Sequence, residues 1–323
     1  MQEVLPILKV WQSKLGGEIN NNTLLIDNDN CIGKIESFSF SEEVQILRFD
    51  FTSKKVIRFS GLDFKDDEFI PIFFEEPTNN TIENGLELIE GQKKEEYDFD
   101  LHGAFCTNSK SNLTFDFNTK KPIKFLSIRL TKDLFQRFIN KSEVLTSMLD
   151  LSQAFYVVEE FNQLIAGSYM RAMNIHKDEL FSDELMYSVG LHLVTAFFSK
   201  LSERELITDE NKYPINIQAV VQARNLIRLN WDKQYSLEKL SKECGLGTSR
   251  LRFLFKQTFG VTIHQFQNDV KLEQARKMLL QNKLSIYMIA VELGFSSSSH
   301  FAAVFKKKFN ITPSNYQKKY LKN

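Results

Sequence analysis

The sequence predicts an α+β protein, an amino-terminal β-barrel or sandwich with flanking helices followed by an all-α domain with two helix-turn-helix units. Three observations carry this. Residues 23 to 130 hold short runs in which apolar and polar residues alternate, the period of a strand with one face inward. From Thr131 onward the apolar spacing becomes helical. The last hundred residues or so repeat one helix-turn-helix pattern.

The elements follow in order. The amino terminus, "MQEVLPILKVWQSKLGG", carries Glu3 and lacks a long apolar core, so it does not read as a signal peptide. No run approaches the roughly 20 apolar residues a membrane span needs. A soluble, cytoplasmic protein without a membrane partner is expected. "ESFSF", "VQILRFDF", "KKVIRF" and "LTFDF" alternate as half-buried strands. "FIPIFF" is continuously apolar and is expected to be buried on both faces. Sixteen of the 29 phenylalanines precede residue 140, so aromatic rings are expected to fill this core.

Metal or catalytic chemistry finds little support here. His102 is the one histidine of the strand region, and it reads as a turn or surface residue rather than a ligand. "KKEEYD" (93–98) reads as a solvated loop or edge strand. Cys31, Cys106 and Cys244 are odd in number and widely spaced, which suggests neither a disulfide frame nor a CxxC metal site. Cys244 sits at an apolar helix position and is expected in the core. No nucleophile–base pair or phosphate loop is visible, so no cofactor and no enzyme activity are expected.

Thr131 can cap a helix with Asp133 in its first turn. "FYVVEEFNQLIAGSYMRAM" (155–173) places Phe161, Leu164, Ile165, Ala172 and Met173 near one helical face, and "DELMYSVGLHLVTAFFSKL" (183–201) follows as a second long helix. This pair either forms a dimer interface or covers the β-domain. The expected organisation is a β-rich sensor domain at 1–140, a helical hairpin at 141–205, a linker at 206–216 ending in Tyr-Pro, and an all-α domain at 217–323.

In the last domain, Ser285 can cap a helix whose Ile286, Ile289, Ala290 and Leu293 share a face, and Gly294 suits its stop. The serines of "FSSSSH" offer a second cap, after which Phe301, Phe305 and Phe309 recur every four residues. The upstream copy matches. Ser236, Leu237, Leu240 and Gly245 lie 49 residues before Ser285, Ile286, Ile289 and Gly294. Leu251, Phe255, Lys256, Phe259, Thr262 and Phe266 lie 50 residues before Phe301, Phe305, Lys306, Phe309, Thr312 and Tyr316. The change of offset predicts one extra residue in the second turn. Leu272, Ala275 and Leu279 mark a connecting helix, and Thr312-Pro313 opens a last one.

Charge divides at the same place. Residues 215–323 hold 18 Lys+Arg and 6 Asp+Glu, a net of +12, against −12 for the rest. A basic domain on an acidic partner domain points to a polyanion.

"SLEKLSKECGLGTSRLRFLFKQTFG" and "IAVELGFSSSSHFAAVFKKKFNITPSNY" together resemble the DNA-binding domain of AraC/XylS-type bacterial transcription regulators. The Gly-Phe-Ser, Phe-Lys-Lys and Thr-Pro-Ser elements carry the resemblance, over roughly a third of the chain. It implies binding to double-stranded DNA and, most often, activation through RNA polymerase. It also implies a cupin-like β-barrel for a small effector and a possible homodimer. Few polar anchors alternate into the Phe-rich interior, so any effector is expected to be apolar.

Helix geometry then assigns contacts. In the first recognition helix Ser249, Arg252, Phe253 and Lys256 oppose the buried stripe, flanked by Arg250. Early residues of such a helix meet base edges, and arginine matches the O6/N7 edge of guanine. Phe253 suits either a thymine methyl or packing against the connecting helix. Lys256 is placed for phosphate. The second recognition helix presents Ser299, Ala302, Ala303 and Lys306, with His300 early in the helix suited equally to phosphate or packing. Many relatives carry a long polar residue where Ala303 stands, so base reading is expected to be weaker there. Lys306 and Lys307 are the phosphate candidates of "KKK". The alternatives are a metabolite-binding or enzymatic cupin-like protein with an accessory DNA-binding domain, or an architectural DNA binder, against which Arg252 on the reading face counts.

Overall fold

The computed structural model describes residues 5–55, 57–60, 68–75, 103–108, 114–117, 122–161, 163–206, 216–232 and 235–320. His102, "KKEEYD" and most of the expected linker lie outside these residues. The chain divides into two compact units, Met1–Ile217 with Gln257–Gly260, and Gln218–Lys256 with Val261–Asn323.

The first unit opens with helix α1 (Pro6–Leu15), whose Ile7, Leu8, Trp11 and Leu15 are buried. Strands β1 (Glu18–Asn20), β2 (Thr23–Asp27), β3 (Cys31–Ser41), β4 (Val44–Ser53), β6 (Phe69–Glu75), β7 (Gly103–Thr107), β9 (Pro122–Thr131) and β10 (Tyr156–Glu159) form one sheet. The order is β1-β2-β3-β4-β9-β6-β7-β10, with every pairing antiparallel. Strands β5 (Ile57–Ser60) and β8 (Thr114–Phe117) pair separately. The expected β-rich amino-terminal domain and helical carboxyl-terminal domain are thus both present.

Both faces of the large sheet are covered, as the period-2 pattern requires. In β4, Val44 and Ile46 join one core, while Leu47, Phe49 and Phe51 join the other. The second core is closed by α1, with Trp11 edge-on to Phe49 at 4.9 Å. The first is closed by α2 (Lys132–Ile139), α3 (Glu143–Met148), α4 (Gln163–Asn174) and α5 (Ser182–Leu201). Thr131 caps α2 by accepting from the Leu134 N–H. A Cβ on Gly190 of α5 would stand 2.6 Å from the Ile46 side chain, so glycine sets the close approach of helix to sheet. Arg48 fastens α4 to the sheet: it pairs with buried Glu36 at 2.8 Å and donates to the Ala172 and Ile175 carbonyls at 2.9 and 2.6 Å. A cation at a helix carboxyl end meets unsatisfied carbonyls and the negative pole of the dipole together.

Three expectations are corrected. Residues 156–159 are strand, not the start of a helix. The β-branched Val157 and Val158 are buried, and the strand pairs with β7. Leu164, placed on the buried helical face from spacing, is 54% exposed, because α4 begins only at Gln163 and turns Ile165 and Tyr169 inward. "FIPIFF" is also not evenly buried. Ile70, Ile72 and Phe74 are buried and the alternate residues half-buried, with Phe73 stacked on Phe105 at 4.5 Å. Pro71 is tolerated because pairing with β7 starts only at Ile72.

The remaining helices are α6 (Ile217–Leu229), α7 (Leu237–Glu243), α8 (Thr248–Phe259), α9 (Ile263–Gln281), α10 (Ile286–Glu292), α11 (Ser298–Phe309) and α12 (Pro313–Tyr320), which lie in the second unit apart from Ile217 and the last turn of α8. Leu272, Ala275 and Leu279 of α9 are buried with Ile289, Ala290, Leu293, Phe301, Phe305 and Tyr316. Phe301, Phe305 and Phe309 form an aromatic ladder at 5.6 and 4.6 Å, and Phe305 meets Tyr316 at 5.7 Å. Arg276 of α9 ties α12 in through the Tyr316 hydroxyl at 3.2 Å.

Candidate nucleic-acid interface

The two repeated units close by the same local chemistry. Ser236 accepts from the Lys239 N–H at the start of α7, and Ser285 accepts from the Met288 N–H at the start of α10. These caps each satisfy one orphan donor of a helix too short to stand alone. Gly245 and Gly294 follow with φ of 64° and 74°, the left-handed conformation that glycine adopts without strain. The next residues return matching bonds, Leu246 N–H to the Ser241 carbonyl at 3.0 Å and Phe295 N–H to the Ala290 carbonyl at 2.9 Å. Two residues, Leu246 and Gly247, then lead into α8, whereas three, Phe295 to Ser297, lead into α11. This is the extra residue that the offset predicts. Ser297 is the serine that caps, accepting from the His300 N–H.

Behind α8 lie Leu251, Leu254, Phe255 and Phe259, all buried, with Phe255 edge-on to Phe266 at 5.4 Å. Behind α11 lie Phe301 and Phe305. Cys244 is buried as expected, and desolvation, with Glu243 nearby, pushes its thiol up to about 11. It remains a neutral core side chain.

On the outward side of α8, Ser249 and Arg252 are exposed, while Arg250, Phe253 and Lys256 are half-buried. Arg252 is free of hydrogen bonds and ion pairs to the described residues. Half-burial of Phe253 favours packing for part of its ring. On α11, Ser299, His300, Ala303, Lys306 and Lys307 are exposed and Ala302 is half-buried. Lys308 is held by Asp269 at 2.9 Å, which leaves Lys306 and Lys307 as the outward pair of the three. The His300 ring lies edge-on to Phe295 at 5.7 Å and within 3.3 Å of the Ser296 hydroxyl, so it packs at the turn while facing solvent.

The helix preceding α8 adds residues that attention to α8 alone misses. Glu238, Lys239 and Lys242 of α7 are exposed. The Glu238 carboxyl is held below its ordinary value by its own backbone N–H, then by the Ser236 hydroxyl and the charge of Arg252. The signal was legible as Lys239 and Lys242 at i, i+3, beside the buried Leu240. No group of three or more His, Cys, Asp or Glu arranged for a metal occurs among the described residues, and no helix among them is long and apolar enough to cross a membrane.

A capped helix, a glycine turn and a second helix, present twice, define a tandem helix-turn-helix domain. Residues 240–319 match the family model described as a helix-turn-helix domain. Over 99 residues the chain is 36% identical to the xylose operon regulatory protein of Escherichia coli strain K12, covering 31% of this chain and 25% of that one. Over 130 residues it is 28% identical to the HTH-type transcriptional regulator ArgR of Pseudomonas aeruginosa, covering 40% of each. A solved transcriptional regulator from Chromobacterium violaceum, described as AraC-type, is 29% identical over 32% of this chain and 91% of that one, with a TM-score of 0.31. The chain thus spans between a quarter and two fifths of the length of these curated relatives.

Proposed function

We propose that the chain is a sequence-specific transcription regulator that places α8 and α11 in successive major grooves of double-stranded DNA. The observation that carries this reading is Arg252, exposed early on the second helix of a helix-turn-helix unit, with the charge of Glu238 nearby but no hydrogen bond or ion pair to the described residues. A guanidinium so placed donates two parallel hydrogen bonds to guanine and discriminates against other bases. Ser249, Arg250 and Phe253 flank it. Ser299, His300, Ala302 and Ala303 face the second groove with shorter reach. Lys256, Lys306 and Lys307 grip phosphate, joined by Lys239 and Lys242 of α7. The regulated state is activation by recruiting RNA polymerase, in the cytoplasm. The β-sheet unit senses an apolar small molecule in a cupin-like fold, and α4 and α5 form a homodimer interface.

Footprinting of the full chain on a selected site tests the two-groove reading. Two protected patches about one helical turn apart, near 34 Å, are expected. A single patch of half the size contradicts it. The net of +12 over residues 215–323 makes affinity fall steeply with salt, because each neutralised phosphate releases counterions.

A further inference from the structure

Helix α10 presents an apolar face that its duplicate α7 lacks. Its Ile289, Ala290 and Leu293 are buried, but Tyr287, Met288 and Val291 are 65%, 53% and 57% exposed. The matching positions of α7 are Glu238, Lys239 and Lys242, all exposed and all charged. The two helices share length, serine cap and glycine stop. The fold therefore tolerates charge at these positions, and internal packing does not explain the apolar trio. Lys283 is exposed just ahead of the Ser285 cap, and Lys271 Nζ comes within 3.6 Å of where a Cβ on Gly294 would stand. Lys283 and Lys271 thus stand near the two ends of the apolar face, with the exposed Glu292 of α10 beside Val291.

A second exposed surface has the complementary chemistry. Ahead of α5, Leu180 is 87% exposed and Phe181 60%, with Leu185 46% exposed one turn on. Asp178, Glu179 and Glu184 flank them and are also exposed. The loop is held by its own bonds. The Ser182 hydroxyl donates to the Lys177 carbonyl at 2.9 Å, and Lys177 pairs with Asp183 at 2.6 Å. Lys177 Nζ also stands 4.2 Å from the centre of the Phe38 ring. The Leu-Phe pair is therefore presented to solvent by an anchored turn, at the entropic advantage of a preorganised contact.

We propose that the Leu180–Phe181 turn of one chain docks on the Tyr287, Met288 and Val291 face of a second copy. Apolar side chains meet at the centre, and the carboxylates of the turn face the cations around α10. The contact joins two different surfaces, the turn of one copy and the α10 face of another. The apolar sets are small, so association in solution is weak and transient. Two copies on neighbouring DNA sites gain from effective concentration and bind cooperatively.

The test is sedimentation velocity of the full chain, as wild type, Phe181→Ser, Tyr287→Ser, the double variant, and a mixture of the two single variants. Wild type should form species larger than the double variant as concentration rises to about 0.1 mM, and salt should reverse this. Each single variant should lose this association about tenfold or more. The mixture should regain one added contact, because one variant keeps the turn and the other keeps the α10 face. Equal behaviour of wild type and double variant would overturn the proposal, and so would a mixture that regains nothing. A difference between them that does not vary with concentration would assign the contact to a single chain and also overturn it.

Discussion

The two helix-turn-helix units share a frame and differ in what they display on it. Their serine caps, left-handed glycines, returning backbone bonds and buried apolar stripes correspond residue for residue. Their outward faces do not. The first unit offers Arg252 on α8 and Glu238, Lys239 and Lys242 on α7, whereas the second offers Ser299, Ala302 and Ala303 on α11 and an apolar trio on α10. Positions that hold the fold are constrained alike in both copies, because burial and backbone geometry permit few residues. Positions that face out are free to diverge, and here the two copies differ in charge and side-chain length.

The largest expected effects fall on the shared frame. Phe305→Ala removes a fully buried ring at the centre of an aromatic ladder and should cost about 3 to 5 kcal/mol of stability. Phe255→Ala should cost a similar amount in the first copy. Denaturant unfolding of both variants checks this, and a large loss in only one copy would break the equivalence of the two cores.

The outward faces should then separate the copies. Arg252→Ala should cost about 1 to 3 kcal/mol on the preferred site and relax preference at one base pair. Ala302→Arg, at the position matching Arg252, should add a base preference in the other half-site, read by the same binding assay. Failure of that graft while Arg252→Ala succeeds would show that α11 does not approach the bases as α8 does.

The caps give a smaller, paired test. Ser236→Ala and Ser285→Ala each remove one acceptor from a seven-residue helix and should each cost about 1 kcal/mol by thermal unfolding. The smallest effect belongs to phosphate. Lys306→Ala should weaken binding to all sequences nearly alike and reduce the salt slope by about one unit. A sequence-dependent loss there would move Lys306 to the reading face.

The carboxyl-terminal frame was legible because each of its devices is local. A serine four residues before a buried leucine or isoleucine, a glycine nine residues after that serine, and phenylalanines at every fourth position leave one geometry open. The extra residue of the second turn shows in the sequence as a change of offset from 49 to 50. The β-unit was less legible, because strand β10 depends on a partner far away in sequence. Tyr156, Val157 and Val158 read equally well as part of an apolar helix until β7 is set beside them. Helix α1 went unrecognised because its buried Ile7, Leu8, Trp11 and Leu15 matter only with the Phe49 face to pack on. At the site, helical period found Arg252 and Ser249 on the outer face and left packing open for Phe253, but it did not find the partial burial of Lys256. Burial at the rim of a face depends on neighbouring elements, which spacing does not contain.

The central claim is that sequence reading is concentrated in the first unit and phosphate grip is shared by both. Binding-site selection with the wild-type chain and with Arg252→Ala tests it most directly. The account predicts a selected site with most of its information in one half, and loss of preference at one base pair in that half for the variant. Two half-sites of equal information, unchanged by Arg252→Ala, would contradict it.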